Sequence, residues 1–234
     1  RFPLNQRPTL LKGLRYPAAE LAAADSERLR TYATALRDNG FNWLRCRAGD
    51  FGLDGLLDAA DSLGLLVSLV LEQSRNATAI DEIVRRFHHH PSLMFWELEQ
   101  DSEEVAAALR EADPLRPVIA HPAAGGTGRV FRPFQAQAER FEPIALRTFS
   151  PVSRETESFL SHLGHANALN TVSLFGFSAP TDAAGPEFAG HASEGLRICV
   201  EQLRANPRVA AYCFEDALGP EPKALDISLA AFKE

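Results

Sequence analysis

Short apolar runs alternate with amphipathic stretches along nearly the whole chain, and that alternation leaves few architectures open. The runs are Thr9–Tyr16, Phe41–Arg47, Leu65–Leu71, Leu93–Leu98, Pro117–His121, Ile144–Phe149, Thr171–Gly176 and Val209–Phe214. Between them, apolar residues recur at helical spacing, as in Leu29, Tyr32, Ala33 and Leu36, then Leu53, Leu56, Leu57 and Ala60, then Ile80, Ile83, Val84 and Phe87. The same period recurs in Val105, Ala108 and Leu109, in Phe159, Leu160 and Leu163, and in Leu196, Val200 and Leu203, and a last helix is expected over Lys223–Phe232. Boundaries are marked by chemistry. Asp25 or Ser26, Ser102 and Ser153 can cap helices, while Asn39-Gly40, Gly64, Asp113-Pro114 and Asn206-Pro207 can stop them. Only Ala123–Arg140 shows no clear period. Strand then helix, eight times over, predicts an α/β fold in which a parallel eight-stranded sheet closes into a (β/α)8 TIM barrel. The 234 residues match the roughly 200–250 of one such domain. A doubly wound open sheet is the alternative, but it would carry a glycine-rich phosphate turn after its first strand, and Gly13-Leu14-Arg15-Tyr16 is not one.

In a parallel barrel the chemistry sits at the carboxyl ends of the strands, so those ends matter most. The fourth run changes character there. In Leu93-Met94-Phe95-Trp96-Glu97-Leu98-Glu99-Gln100-Asp101, alternation sets Leu93, Phe95, Glu97, Glu99 and Asp101 on one face and Met94, Trp96 and Leu98 on the other. One face therefore turns from apolar to acidic along its length. Arg15, Arg45, Arg47 and Arg147 also fall at or near strand carboxyl ends, as do Glu72, Glu215 and Asp216. Two readings of this mixed-charge mouth stay open. It is a polar pocket for sugar hydroxyls, with Trp96 or Trp43 as a stacking face, or it is a buried network of ion pairs.

Other candidates carry less. His88-His89-His90 point in different directions at a helix end and precede the fourth strand, away from the mouth; their role is a favourable charge at a helix C-terminus. His121 ends the fifth strand, where a single histidine is a core hydrogen-bonding residue or, with Glu97 and Glu99, a metal ligand. The Gly125-Gly126-Thr127-Gly128 run precedes no lysine-serine pair, and Ser173 has no evident base. Cys46, Cys199 and Cys213 lack metal-ligand spacing and read as buried thiols. No metal and no cofactor is expected. The net charge of −7 argues against a nucleic-acid surface. No apolar run approaches the roughly 18–20 residues of a membrane span. Because the chain starts at Arg1 inside an apparent strand, it reads as one domain, 1–234, cut from a longer chain, and its compartment stays open.

Several stretches together resemble glycoside hydrolase family 2, which holds β-galactosidases, β-glucuronidases and β-mannosidases. They are Phe2-Pro3-Leu4-Asn5-Gln6-Arg7-Pro8 with Leu11-Lys12-Gly13; Asp38-Asn39-Gly40-Phe41-Asn42-Trp43-Leu44-Arg45; Ala59-Ala60-Asp61-Ser62-Leu63-Gly64; Arg85-Arg86-Phe87-His88-His89-His90-Pro91-Ser92; and Asp113-Pro114-Leu115-Arg116-Pro117-Val118. The resemblance implies retaining hydrolysis by two carboxylates about 5–5.5 Å apart, with β-sandwich domains ahead of the barrel in the same chain. It sets the acid/base at Asp101, after Gln100, and the nucleophile at Leu174, within Ser173-Leu174-Phe175-Gly176. Arg45 keeps the family residue. Asp101 is one methylene shorter than the glutamate it replaces, and the alkyl chain of Leu174 cannot attack a sugar carbon. The resemblance therefore implies a barrel that keeps the architecture and has lost its catalytic pair, serving as a non-hydrolytic carbohydrate-binding or scaffold domain. The alternative is a working glycosidase in which Asp101 partners Glu72, Glu215 or Asp216. A third reading, unrelated chemistry at the same mouth, is also open.

Overall fold

The helix ends follow the capping chemistry of the side chains. The computed structural model describes residues 2–4, 7–19, 21–71, 77–99, 102–120, 128–131, 139–147, 169–175, 201, 204–205 and 209–214. A small antiparallel hairpin, β1 (Phe2–Leu4) with β2 (Arg7–Thr9), precedes the first barrel strand, β3 (Leu11–Arg15). Helix α1 (Ser26–Asp38) starts at Asp25, whose carboxylate accepts from the Arg28 amide, and ends at Asn39-Gly40 with Gly40 at φ 83°. Then come β4 (Trp43–Arg47), α2 (Leu53–Leu63), β5 (Leu66–Leu71), α3 (Ala77–Phe87), β6 (Leu93–Leu98), α4 (Glu103–Ala112) and β7 (Val118–Ala120). Ser102 caps α4 through its hydroxyl, as expected. The remaining strands are β8 (Gly128–Phe131), β9 (Glu139–Arg147), β10 (Leu169–Phe175) and β11 (Val209–Phe214).

Nine of these strands form a closed ring in the order β10, β11, β3, β4, β5, β6, β7, β8, β9. All eight expected runs supply strands, β3 to β7 and β9 to β11, and every pairing among them is parallel. The ring differs from a purely parallel eight-stranded sheet at one place. β8 lies between β7 and β9 and runs antiparallel to both. The reason is chain length. Only residues 121–127 separate β7 from β8, and residues 132–138 separate β8 from β9. Seven residues allow a return hairpin but fall short of the dozen or so that a parallel crossover needs. The helices expected around 153–163 and 223–232 lie outside the described residues. Residues 201, 204 and 205 are helical, where a helix is expected before β11.

Alternation along each strand divides the apolar side chains into two cores. Leu11, Trp43, Phe95, Ile119, Ala211 and Cys213 fill the inside of the ring. Leu14, Leu44, Cys46, Val67, Leu69, Trp96 and Tyr212 face outward and meet the apolar stripes of the helices, Leu29, Leu36, Leu56, Ile80 and Leu109 among them. Inside the ring, Gly13 sits opposite Trp43. A Cβ on Gly13 would lie 2.3 Å from Cε3 of that indole, so the ring covers a backbone with no side chain. Outside it, the Trp96 indole N–H donates to Asp113 at 3.0 Å, and Arg116 donates to the same carboxylate at 2.9 Å, which fixes the corner between β6, α4 and β7.

The turn from α3 into β6 hangs on Asp61, near the end of α2. One oxygen accepts from the Ser92 amide at 2.8 Å and the other is 2.7 Å from Nδ1 of His90. Burial pushes the Asp61 carboxyl up, but the hydrogen bonds from Ser92 and His90 outweigh it and hold it below its ordinary value. Among the described residues, no helix is long and apolar enough to cross a membrane.

Two measurements check this packing. Gly13→Ala drives a methyl into the Trp43 ring and lowers stability by about 1–3 kcal/mol, read as a lower urea midpoint with an unchanged slope. Asp61 has a depressed folded-state value, so its contribution is complete above its unfolded pKa of about 3.9 and is lost as pH falls through the lower folded value. Asp61→Asn is therefore less stable than the parent at pH 7, and the gap closes toward pH 2; a gap that is constant with pH excludes this role.

Candidate functional site

The carboxyl ends of β3, β4, β5 and β6 bring charge together, because alternation turns Arg15, Arg45, Arg47, Ser68, Glu97 and Glu99 to the inside of the ring above its apolar floor. Arg15 is in register with Arg45, Arg45 with Ser68, and Arg47 with Val70. Glu97 is 2% exposed, and each of its oxygens is held. Arg45 donates through Nε to one oxygen at 2.9 Å. The Ser68 hydroxyl donates to the other, and the Trp43 indole N–H donates to Ser68 at 2.9 Å. The carboxylate is thus tied to a guanidinium on one side and, through a hydroxyl, to the apolar floor on the other.

One layer further out, Arg47 donates to Glu99 at 3.2 Å, with the two side chains 44% and 37% exposed. An ion pair so wet contributes about 0–1 kcal/mol. Arg15, Arg45, Cys46, Arg47, Val70 and Glu99 line an open-sided hollow of about 260 Å³. The Cys46 thiol faces away from the ring; burial, with Asp50 and Glu97 nearby, pushes it well up, so it is a poor nucleophile.

The loop leaving β4 is tightly held. The Arg47 amide donates to the Asp50 carboxylate at 2.7 Å, the Ala48 amide donates to the Val70 carbonyl, and the Tyr16 hydroxyl donates to the Phe51 carbonyl at 3.0 Å. Gly52 follows at φ 71°, a left-handed geometry that glycine adopts without strain. The result is an aromatic ring, Phe51, 68% exposed on the mouth side.

Of the expected site residues, Arg45, Glu97 and Glu99 are gathered at this mouth. Trp96 is a correction. It is fully buried in the outer core and bonded to Asp113, so it has no face for a sugar. Its position one residue from Glu97 already put it on the opposite face of the strand. Glu72, Gln100, Asp101, His121, Glu215 and Asp216 lie outside the described residues. The backbone of Leu174, near the carboxyl end of β10, stands beside Leu146 and Phe214, and that of Arg147 beside Phe175; their side chains are outside the described set. Sequence reasoning missed Ser68, although it is the one hydroxyl in an otherwise apolar strand, and Phe51, which no periodicity marks. His90 lies on the amino side of the ring. Its ring, Asp61 and Asp58 bring ligand-type atoms within 4.8 Å of one another, but both Asp61 oxygens already serve the turn.

No family model matches the chain, and no curated protein matches it by sequence. Solved structures do match in fold. An endo-β-1,3-glucanase of glycoside hydrolase family 128 from Sorangium cellulosum superposes with a TM-score of 0.60 at 13% identity, over 94% of this chain and 98% of that one. A family 5 glycoside hydrolase from Bacteroides vulgatus gives 0.56 at 12% identity, over 89% of this chain and 58% of that one. A family 2 glycosyl hydrolase from Bacteroides cellulosilyticus gives 0.52 at 14% identity, over 88% of this chain and 28% of that one. The chain therefore shares a barrel-type fold with glycoside hydrolases of several families. It spans little more than a quarter of the family 2 structure and less than two thirds of the family 5 one.

The Glu97 arrangement makes a stability prediction. Arg45→Met strands a carboxylate that is 2% exposed, at a cost of about 3–5 kcal/mol. Arg45→Met combined with Glu97→Leu recovers most of that loss, because an apolar pair of similar volume needs no desolvated charge. Urea denaturation of the two single variants and the double variant measures it; equal losses in Arg45→Met and the double variant exclude the interpretation.

Proposed function

We propose that the chain is a carbohydrate-binding TIM barrel of glycoside hydrolase descent, nearest in its motifs to family 2, whose catalytic pair is degenerate. The observation that carries this reading is the fold likeness to glycoside hydrolases of families 2, 5 and 128, taken with a mouth whose glutamates are already engaged by arginines. Leu174 supports the loss of hydrolysis, since a hydrocarbon stands where the family motif has its attacking carboxylate. Asp101 would be a shortened remnant of the acid/base, with Gln100, Glu72, Glu215, Asp216 and Arg147 as further hydrogen-bonding groups of the same mouth. Phe51 takes the stacking role expected of Trp96. Its exposed ring offers an apolar face to sugar C–H groups, and Arg45, Arg47 and Glu99 offer donors and acceptors to hydroxyls. In this reading the chain is the barrel of a longer, multidomain protein, with a β-sandwich ahead of it.

The test pairs an activity assay on a panel of aryl β-glycosides with calorimetric binding of the unlabelled saccharides. The expected outcome is binding without turnover, with Phe51→Ala weakening affinity about tenfold, or 1.4 kcal/mol. Turnover that vanishes in Asp101→Asn would establish the hydrolytic alternative, and absence of binding across the panel would leave a scaffold.

A further inference from the structure

The hollow at the mouth holds three arginines, and they are not alike. Arg15, Arg45 and Arg47 line it together with Cys46, Val70 and Glu99. Arg45 donates to Glu97 at 2.9 Å, and Arg47 donates to Glu99 at 3.2 Å. Arg15 stands partly buried at the carboxyl end of β3. Among the described residues its guanidinium makes no hydrogen bond and no ion pair, although it carries five donors.

A structural role for Arg15 would show as a bond to the protein. The two glutamates at hand are taken, since Arg45 and Ser68 hold the oxygens of Glu97 and Glu99 lies against Arg47. Nor is the guanidinium needed to join β3 to β4. The two strands pair in register, and the Tyr16 amide donates to the Arg45 carbonyl at 3.0 Å, so backbone alone fixes their ends side by side. Arg15 and Arg45 are register partners. Like charges opposite each other on paired strands are destabilising, so the protein carries Arg15 at a cost when nothing anionic lies against it.

An unmatched guanidinium calls for an anion, and the hollow selects which one. Its enclosed part has room for about three water-sized groups, as many as a carboxylate has heavy atoms and fewer than a sulfate or phosphate brings. Its open side leaves the rest of the ligand outside. Glu99 shares the lining, so a doubly charged anion meets more repulsion here than a singly charged one. A guanidinium and a carboxylate also match in shape, joining through two parallel N–H···O bonds in one plane.

We propose that this hollow is a subsite for the carboxylate of an acidic saccharide, with Arg15 as the residue that selects it. The proposal rests on the carbohydrate-binding reading and adds the class of sugar. Both carboxylate oxygens accept from the Arg15 guanidinium. A neutral sugar leaves that guanidinium unpaired.

Calorimetry on the full chain tests the subsite with oligosaccharides of matched length, β-1,3- and β-1,4-linked, built from glucose, glucuronate or glucose 6-sulfate. The glucuronate series binds at least about tenfold tighter than the glucose series at low ionic strength, and salt narrows the gap. The sulfated series gains less than the glucuronate series. Arg15→Gln abolishes the preference for glucuronate and leaves the urea midpoint equal or higher, because it relieves the contact with Arg45. Arg15→Lys keeps only part of the preference, since an ammonium lacks the planar fork. Equal binding of the glucose and glucuronate series, a stronger gain from sulfate, or a preference retained in Arg15→Gln overturns the subsite and leaves the carbohydrate-binding reading standing. A lower midpoint in Arg15→Gln marks a structural arginine and overturns it as well. No binding by any series removes that reading and the subsite with it.

Discussion

The buried carboxylate of Glu97 sets the terms for the rest of the ring. A charge that is 2% exposed is tolerable only if its oxygens are held, and the two that hold it come from different strands, Arg45 on β4 and Ser68 on β5. Ser68 is positioned in turn by the Trp43 indole, and Trp43 fits because its partner across β3 is Gly13. One polar group thus fixes the register of four consecutive strands. A shift of one residue in any of them would turn its partner to the helix side and leave the carboxylate alone.

Above that layer the character of the interior changes. Below Glu97 lie Trp43 and Phe95, and above it lie Arg47 and Glu99, both partly exposed. The transition from an apolar plug to a wet, charged mouth happens within two residues on β6. This gives the carboxyl end of the ring a rigid floor. An open-sided hollow rests on it, and the loop leaving β4 is pinned by Tyr16 and Asp50.

The amino side of the ring is built differently. There the side chains serve turns: Asp61 gathers His90 and Ser92, Arg116 reaches the Leu93 and His90 carbonyls, and Asn42 bridges Lys12 and Leu10.

The sequence by itself determined the eight parallel strands, the caps at Asp25 and Ser102, the stops at Gly40 and Gly64, and the inward parity of Arg45, Glu97 and Glu99, because these depend on local backbone chemistry and on periods of 2 and 3.6 residues. Tertiary structure alone decided the rest. Strand β8 was illegible because its direction depends on linker length and on a free edge of β7, not on its own residues. Trp96 found its partner Asp113 only through tertiary packing, and Ser68 acquired its role only when strand pairing brought Glu97 beside it. Periodicity tells which face a side chain takes, but its partner on that face is chosen by contacts between residues far apart in the chain.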